Sequence, residues 1–242
     1  MYYSISIPLC FFLFSLMLTV VICVNPLESI CSDLEYPPHS PYEKNLNNLL
    51  NILSTKIPPY GFGLSILGNG VDQINGLGLC RGDVSSKDCS ACVSEASKKI
   101  LDVCTGSKAG IIWYDHCFLR YSHEYFFGKI DYQEEFFTYN PVFASNTKLL
   151  EDKMKELLNG LSVQASQKRT FFATGELVYD DSSHKLYGMA QCTIDLSTSD
   201  CKTSLDAAIK KLSSCCSGRI GARVKGGSYS VRYEMYPFLN NA

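Results

Sequence analysis

The sequence predicts an α+β protein of two tandem domains, each a small antiparallel sheet with two helices, stapled by disulfide bridges. Two observations carry this prediction: a cysteine pattern that occurs twice, and helix-type and strand-type hydrophobic periodicities that recur in the same order. The 242 residues include 12 cysteines, and they are 46% hydrophobic and 19% charged with a net charge of -2. This composition is typical of a globular protein and indicates no nucleic-acid partner.

The cysteine pattern marks the two copies of the repeat. The first copy carries five cysteines in the order C-x8-C-x2-C-x11-C-x12-C, at Cys80, Cys89, Cys92, Cys104 and Cys117. The second copy keeps three of them, at Cys192, Cys201 and Cys216, whereas Ser204 and Tyr229 stand at the other two positions. Because each copy is about 100 residues long, the repeat predicts domains at residues 24–127 and 134–241.

The missing cysteines indicate how the bridges are paired. A lone thiol left in an oxidising compartment is reactive, so partners tend to be lost together, which pairs Cys92 with Cys117. The simplest completion joins the other cysteines of the first copy: Cys80 with Cys89, and Cys31 with Cys104. Six cysteines allow many connectivities, and one repeat comparison narrows the choice without proving it.

The N-terminal residues 1–23 are predicted to be a cleaved secretory signal. An apolar run from Ile5 to Val24 ends where the polar chain begins at Asn25. Its length also suits a membrane-spanning helix, but no Lys or Arg follows until Lys44, so the basic flank of a retained anchor is missing. Cleavage would leave ten cysteines in a chain outside the cell with no membrane attachment, where dense cysteines form disulfides.

Periodicity predicts the elements of the first copy. A helix begins after Ser40 as N-cap and Pro41 in the first turn, with an apolar stripe at Tyr42, Leu46, Leu49, Leu50 and Leu53. A second helix is predicted over Asp88–Val103. The segment Ile57–Gly78 is rich in Gly and Pro and is interpreted as turns with short strands. Aromatic and β-branched residues predict strands at Ile111–Tyr114 and Cys117–Tyr121.

The second copy repeats this order. Its predicted elements are a helix over Leu150–Leu161, strands at Phe171–Val178 and Tyr187–Cys192, a helix over Asp200–Leu212, and strands at Gly221–Val224 and Tyr229–Tyr236. Between the copies, Phe126–Tyr139 is interpreted as a connector, and its aromatic residues predict a packed interface between the domains.

Three features together resemble the plant cysteine-rich repeat secretory proteins, whose modules are Gnk2-homologous (DUF26) domains. They are the doubled cysteine motif, the run AGIIWYD at Ala109–Asp115 and the ending RYEMYPF at Arg232–Phe238. The resemblance covers essentially the whole mature chain. It implies secreted, non-enzymatic α+β modules without cofactors, each with a five-stranded antiparallel sheet and two helices, and its usual bridges agree with the pairing above.

The resemblance also suggests a sugar site in the second copy. The family includes a mannose-binding antifungal lectin, and its three site positions fall on Ser32, Ile111 and Ser122 in the first copy, where the residue types do not match. In the second copy they fall on Asn140, Arg223 and Glu234, and all three types match. An amide, a guanidinium and a carboxylate can bind vicinal sugar hydroxyls. Alternatively, Arg223 and Glu234 form a solvent-side charge pair on the sheet.

Other chemistry at the cysteines is disfavoured. A zinc site at Cys89, Cys92, Cys104 and Cys117 would be half missing from the second copy and would lie in an oxidising compartment. A cysteine nucleophile near His116 or His123 would need a free thiol, yet the pairing above gives every cysteine of the first copy a partner. We therefore predict no catalytic residue and no metal ligand.

The repeat comparison does not decide how two adjacent cysteines, Cys215 and Cys216, are paired. The counterpart of Cys31 in the second copy is Tyr139, so Cys216 has lost its expected partner. The two cysteines could bridge each other, bridge to another chain or stay reactive. We favour the prediction of a vicinal bridge, a disulfide between the two adjacent cysteines.

These observations predict a secreted, non-enzymatic binding module of plant extracellular (apoplastic) defence or signalling, with a mannose-type glycan as the leading ligand. Two alternatives are a protein-interaction module that binds a receptor ectodomain or other extracellular protein, and an apoplastic thiol redox sensor based on Cys215 and Cys216.

Overall fold

The computed structural model describes residues 25–180 and 184–240. These residues form two units that follow each other along the chain, each with a five-stranded antiparallel sheet and two α-helices. The fold predicted from the sequence is thereby confirmed. The predicted signal at residues 1–23 lies outside the described residues. Among the helices of the described part, none is long and apolar enough to span a membrane.

Domain 1 holds the first sheet. Its elements are β1 (Glu28–Cys31), α1 (Pro41–Lys56), β2 (Phe62–Leu67), a 3-10 turn (Gly70–Asp72), β3 (Ile74–Cys80), α2 (Ser86–Val103), β4 (Ala109–Trp113) and β5 (Cys117–Ser122). The strand order is β1-β4-β5-β3-β2. Both helices lie on one face of this sheet, which we call the helical face, and their apolar stripes meet it in one core.

Domain 2 repeats this arrangement. Its elements are β6 (Glu135–Tyr139), α3 (Thr147–Gln167), β7 (Phe172–Val178), β8 (Lys185–Cys192), α4 (Thr198–Cys215), β9 (Gly221–Gly226) and β10 (Tyr229–Glu234). The strand order β6-β9-β10-β8-β7 matches that of domain 1 strand for strand. A second core lies between the helices α3 and α4 and the helical face of this sheet.

Local sequence explains where the helices begin. The Ser40 hydroxyl caps α1 by accepting from the Glu43 amide, and Pro41 occupies the first turn, where it costs no hydrogen bond. In α2 and α4 the corresponding caps are Ser85 and Ser197, each accepting from the amide three residues later. The buried side of α1 is the predicted stripe, from Tyr42 to Leu53.

Two strands were missed by the sequence prediction. β1 was not foreseen, and the end of the predicted connector is in fact β6, which pairs with β9 from Glu135 opposite Gly226 to Tyr139 opposite Ala222. Both are edge strands with little alternation of buried and exposed residues. Because an edge strand is identified by its neighbour more than by its own periodicity, the sequence alone gave no signal for them.

The described residues contain five disulfides. Those of domain 1 join Cys31 to Cys104, Cys80 to Cys89 and Cys92 to Cys117, the same pairs that the repeat comparison suggested. Domain 2 has Cys192 joined to Cys201, and a vicinal bridge between Cys215 and Cys216. All four cysteines of the zinc alternative are therefore held in disulfides.

The domains meet through the faces of their sheets that carry no helix, which we call the open faces. On domain 1 this face is apolar: Trp113 is fully buried, donates from its indole nitrogen to the Gly226 carbonyl at 3.1 Å, and lies edge-on to Phe136 with ring centroids 5.2 Å apart. Gly82 lies against Phe172, where any Cβ would overlap the ring. The interface predicted from the aromatic connector is thus confirmed, and Phe136 is one of the residues that form it.

A polar network occupies the region of domain 2 where domain 1 has its third bridge. Tyr229, at the position of Cys117, is buried and donates to a carboxylate oxygen of Glu135 at 2.5 Å. Lys211 donates to both oxygens of the same carboxylate at 2.6 Å. Ser204, at the position of Cys92, is also buried and donates to the Cys201 carbonyl. Hydrogen bonds from β10 and α4 to β6 therefore hold domain 2 where the covalent link is missing.

This network yields a stability prediction. Tyr229→Phe removes the hydroxyl and leaves the Glu135 carboxylate with one donor fewer, which should cost about 1.5–3 kcal/mol because the acceptor is charged. Chemical denaturation monitored by fluorescence measures the loss. Tyr60→Phe is the matched control, because the Tyr60 side chain is 83% exposed. Equal stability of the two variants would contradict a structural role of the Tyr229 hydroxyl.

Candidate functional site

The three residues of the predicted sugar site lie on the open face of sheet 2. Glu234 on β10 is directly opposite Gly221 on β9, and Arg223 lies two residues further along β9. The chain leaves β6 at Asn140, whose amide donates to the Gly221 carbonyl at 2.8 Å. Since side chains alternate along a strand, Glu234 and Arg223 share one face, and Asn140 lies at its edge.

The structure supports the alignment of the two copies at these positions. In domain 1 the Ser32 amide donates to the Ala109 carbonyl at 2.9 Å, the counterpart of the bond from Asn140 to Gly221. Ser122 is opposite Ala109 and Ile111 is opposite Arg120, as Glu234 is opposite Gly221 and Arg223 is opposite Arg232. Asn140 therefore takes the place of Ser32, even though Tyr139 replaces the preceding cysteine.

One carboxylate of domain 1, that of Asp115, contacts the patch formed by Asn140, Arg223 and Glu234. Asp115, in the turn between β4 and β5, accepts from Arg223 at 2.6 Å and from Arg232 at 3.2 Å on one oxygen. Its other oxygen accepts from Arg81 at 2.8 Å. One carboxylate thus links an arginine of its own domain to two arginines of domain 2.

The carboxylates of Asp83 and Glu234 complete a charged cluster around Asp115. Arg81 makes a two-pronged pair with Asp83, at 2.6 and 3.0 Å, and Arg232 donates to Glu234 at 2.9 Å. The alternative of a solvent-side pair between Arg223 and Glu234 is therefore wrong. Each has a different partner, and the side chains of Arg223 and Glu234 are only 16% and 8% exposed. Domain 1 and the other arginines cover what was expected to be open surface.

The C-terminal segment closes one side of the cluster. Arg232 donates to the Tyr236 hydroxyl at 3.0 Å and lies over the Phe238 ring, 4.1 Å from its centroid. The Asn240 amide donates to Asp83 at 2.7 Å. The family-like ending of the sequence thus contacts Arg232 through Tyr236 and Phe238.

The charges of the cluster shift the pKa values of its members. Burial raises the pKa of Asp115, but Lys225, Arg223, Arg232 and Arg81 together lower it to about 2. Burial lowers the pKa of the Lys225 ammonium to about 7, against the attraction of Asp115. That ammonium donates to the Tyr114 carbonyl at 2.5 Å, across the domain boundary. Asp115 is therefore ionised at every physiological pH and compensates several buried cations.

Sequence reasoning identified Arg223 and Glu234 but missed their partners, Asp115 and Arg232, and the two further cations beside Asp115, Arg81 and Lys225. Asp115 and Arg232 both lie in the family-like runs, so their positions were noted without a role. Nothing in their local spacing indicates contact, because Asp115 and Arg232 are 117 residues apart. The contact exists only once the two open faces meet.

Asn140 borders a second surface feature, an exposed aromatic patch formed by Tyr139, Val142, Phe143 and Arg219. The three apolar side chains are each more than half exposed, and the Arg219 guanidinium lies 4.9 Å from the Tyr139 ring centroid and 3.8 Å from that of Phe143. The vicinal bridge lies nearby in the chain, since the Arg219 amide donates to the Cys216 carbonyl.

The fold and the bridges define a tandem of small, disulfide-stapled α+β modules that pack open face to open face. Comparison with known proteins places this tandem: the chain belongs to the salt stress response/antifungal family, the Gnk2-homologous (DUF26) domain, which matches residues 30–124 and 134–236. Relatives of this family are named secretory proteins, and the chain is secreted and disulfide-bonded.

Individual relatives cover nearly the whole chain. An antimicrobial ginkbilobin-2-like protein of Castanea crenata is 50% identical over 240 residues, which cover 99% of this chain and 98% of the relative. Cysteine-rich repeat secretory protein 38 of Arabidopsis thaliana is 44% identical over 216 residues, 88% of this chain and 85% of the relative. The tandem DUF26 ectodomain of the Arabidopsis thaliana cysteine-rich receptor-like protein PDLP8 superposes with a TM-score of 0.78 at 26% identity, covering 86% and 97% of the two chains.

Asp115 gives the site a testable pH dependence. Its pKa in the folded protein, about 2, is below the ordinary 3.8, so its stabilising contribution is complete above about pH 4 and is lost as the pH falls toward 2. Asp115→Asn should weaken the contact between the domains at neutral pH and should flatten the loss of stability in that acid window.

Thermal unfolding between about pH 5 and pH 2, with hydrogen exchange at the interface amides, measures both effects. The control is Asp102→Asn on α2, an exposed carboxylate that forms no ion pair within the described residues. If wild type and Asp115→Asn lose stability in parallel on acidification, Asp115 does not link the domains as argued.

Proposed function

We propose that this protein is a secreted, non-enzymatic binding module of plant extracellular defence, acting in the apoplast, and that domain 2 binds a mannose-type glycan. The observation that carries the proposal is the common face of Arg223 and Glu234 with Asn140 at its edge, at the positions expected for a sugar site. Membership of an antifungal and stress-response family and an antimicrobial relative support a role in defence.

The chemistry of the patch suits a sugar. The Arg223 guanidinium donates hydrogen bonds, the Glu234 carboxylate accepts them, and the Asn140 amide does both, which matches the paired donor and acceptor character of vicinal hydroxyls. Asn140 uses its side-chain oxygen to accept from the Val142 amide at 3.0 Å, and its amino group has no hydrogen-bond partner among the described residues. A shallow site of this kind should bind a single sugar with a dissociation constant of about 1 mM. Tight binding would require several copies of the protein to bind repeated sugars of one glycan at the same time.

Domain 1 competes with the sugar for the same groups. Asp115 holds Arg223, and Arg232 holds Glu234, so a hydroxyl that binds Arg223 must share or displace the Asp115 carboxylate. The Asp115 side chain is still 36% exposed, which leaves an approach from the solvent side. We therefore expect removal of this competing carboxylate to improve sugar binding.

The proposal is tested by titrating the mature tandem protein with mannose while following amide NMR shifts. Wild type should show saturable shifts around Asn140 and Arg223 with millimolar affinity. Glu234→Ala should reduce the affinity at least tenfold, because the acceptor is gone. Ser122→Ala, at the matching position of domain 1, is the control and should leave mannose binding unchanged.

Asp115→Asn adds a second arm to this experiment. It frees Arg223 from a charged acceptor and should tighten mannose binding several-fold. Absence of shifts in both wild type and Asp115→Asn at about ten times the expected constant would reject the sugar function. Binding that survives Glu234→Ala unchanged would place the sugar elsewhere.

A second candidate function is a protein-interaction module, favoured by the exposed aromatic patch. Tyr139, Val142 and Phe143 around Arg219 have the composition of a protein-binding hot spot, in which aromatic and arginine side chains dominate. A tandem DUF26 ectodomain of a receptor-like protein has the same fold, and the partner proposed for this chain is another extracellular receptor domain.

In this case Phe143→Ala should abolish binding to a receptor ectodomain that the wild type captures, measured by surface plasmon resonance. Val178→Ala is the matched control, since Val178 is an exposed apolar residue on β7, at the opposite edge of the sheet from β6. Equal effects of the two substitutions would count against the patch. Thiol redox sensing is a separate alternative, and counting free thiols on the secreted protein tests it at Cys215 and Cys216.

A further inference from the structure

We propose that the boundary between the two domains binds one small monovalent anion, a halide such as chloride, in a cavity between the Lys225 ammonium and the Ser230 hydroxyl. The cavity lies where the open face of sheet 2 meets Trp113 and Phe118 of domain 1. Among the described residues that line it, none belongs to the predicted sugar site. The inference is therefore independent of the proposed function.

The polar wall of the cavity is a row of side chains across sheet 2. Lys225 on β9 is directly opposite Ser230 on β10, and Ser230 is directly opposite Gln191 on β8. Cross-strand neighbours lie on the same face, with their Cβ atoms about 4.5–5.5 Å apart. The three side chains therefore form a continuous polar strip, and Trp113 and Phe118 of domain 1 lie against it.

The middle of this strip holds a hydroxyl without a partner. The Ser230 Oγ atom is buried and has no hydrogen bond within the described residues. Its neighbours are satisfied across the domain boundary, because Gln191 donates to the Cys80 carbonyl at 3.0 Å and Lys225 donates to the Tyr114 carbonyl at 2.5 Å. Buried polar groups in native proteins are nearly always hydrogen-bonded, so the Ser230 hydroxyl indicates an acceptor in the cavity.

The balance of charge favours an anion over a water molecule as that acceptor. Four cations around the cavity and the adjoining cluster face three carboxylates: Arg81, Arg223, Lys225 and Arg232 against Asp83, Asp115 and Glu234. Each of the three arginines is paired with a carboxylate. Within the described residues the Lys225 ammonium contacts only the backbone carbonyls of Tyr114 and Asp115. One monovalent anion beside Lys225 would neutralise the excess cation.

The burial of Lys225 makes such compensation favourable. Its side chain is buried at the domain boundary, and burial lowers the pKa of the ammonium to about 7. Asp115 attracts the ammonium, but both oxygens of its carboxylate already accept from arginines, at 2.6–3.2 Å. An anion in contact with Lys225 stabilises the charged ammonium without taking Asp115 from its arginines.

The size and lining of the cavity select a small ion. Its volume is about 20 Å³, which suits one water molecule or one ion of similar size and excludes a sulfate or a sugar. Apart from the polar strip, the walls include the apolar side chains of Leu79, Trp113, Phe118 and Met189. Chloride is spherical and accepts from N–H and O–H groups in any direction. It therefore suits a site with donors on one wall and apolar groups on the others.

The experiment uses the fluorescence of Trp113, the single tryptophan of the sequence, which lies in the cavity wall. Bromide, a halide that quenches tryptophan on contact, is titrated into the mature tandem protein at about pH 6, in sodium sulfate at constant ionic strength. We expect saturable quenching with a dissociation constant of about 1–10 mM. A fully buried tryptophan is otherwise shielded from ions in solution. Chloride, a much weaker quencher, should reverse the effect by competition.

Substitutions locate the ion. Lys225→Met keeps an unbranched side chain and removes the charge, so the saturable quenching should disappear. Ser230→Ala removes only the hydroxyl and should weaken bromide binding about fivefold, which corresponds to one hydrogen bond. An unchanged emission maximum of Trp113 without bromide shows that each variant keeps its domains packed. Lys185→Met is the matched control, because Lys185 lies in the same sheet with a side chain that is 45% exposed, and its affinity should equal that of wild type.

The pH dependence gives an independent readout, since Lys225 must be protonated to bind the anion. With its pKa near 7, the dissociation constant at about pH 8 should be about tenfold that at about pH 6. The arginines and Asp115 stay charged over this range, and the raised pKa of Tyr229 keeps it neutral. His116 also lines the cavity, and loss of a ring proton would act in the same direction. The variant His116→Gln separates the two contributions.

Three results would overturn the site. Quenching that is linear in bromide and equal in wild type and Lys225→Met would show collisions from solution only. Quenching that chloride fails to reverse would place bromide elsewhere. Absence of quenching in wild type at about ten times the expected constant would leave the cavity to water. Mannose binding is read from amide shifts around Asn140 and Arg223, so none of these outcomes decides it.

Discussion

The structure depends on charge compensation by Asp115 at the contact of the two open faces. Arg81, Arg223 and Arg232 converge on this one carboxylate, and Lys225 lies buried beside it. Removing guanidinium and ammonium groups from water is unfavourable unless an opposite charge accompanies them. Without Asp115, the arginines of sheet 2 would lie against domain 1 with less charge compensation, and the contact between the domains, including the apolar contacts of Trp113, would be weaker.

The two copies share a fold and differ in what their open faces carry. Where domain 1 has Ile111 and Trp113, domain 2 has Arg223 and Lys225 at the matching register positions. An apolar face of domain 1 therefore lies against a cationic face of domain 2. The negative charge that the cationic face needs comes from Asp115, in the turn between β4 and β5. The copies also differ in their disulfides. Where domain 2 lacks the counterpart of the Cys92–Cys117 bridge, Tyr229 and Lys211 donate hydrogen bonds to Glu135.

This asymmetry decides which polar surfaces can meet a ligand. Arg223 and Glu234 are largely covered and held by partners, so a sugar that binds them must compete with contacts inside the protein. The aromatic patch around Arg219 is open in the same arrangement. A tandem of two similar modules can in this way offer several different surfaces, because docking covers only part of each module.

The sequence by itself determined the tandem repeat and the helices, and it suggested the disulfide pairs of domain 1. These follow from local periodicity and from cysteine spacing, and the apolar stripe of α1 and its Ser40 cap are examples. Only the tertiary structure decided that Glu135–Tyr139 is an edge strand, that Asp115 binds arginines more than 100 residues away, and that Lys225 and Trp113 line one cavity between the domains. The physical reason is that helices and disulfides are specified by residues close in sequence or by paired losses. Contacts between two faces depend on how the completed domains pack, and no local pattern records that.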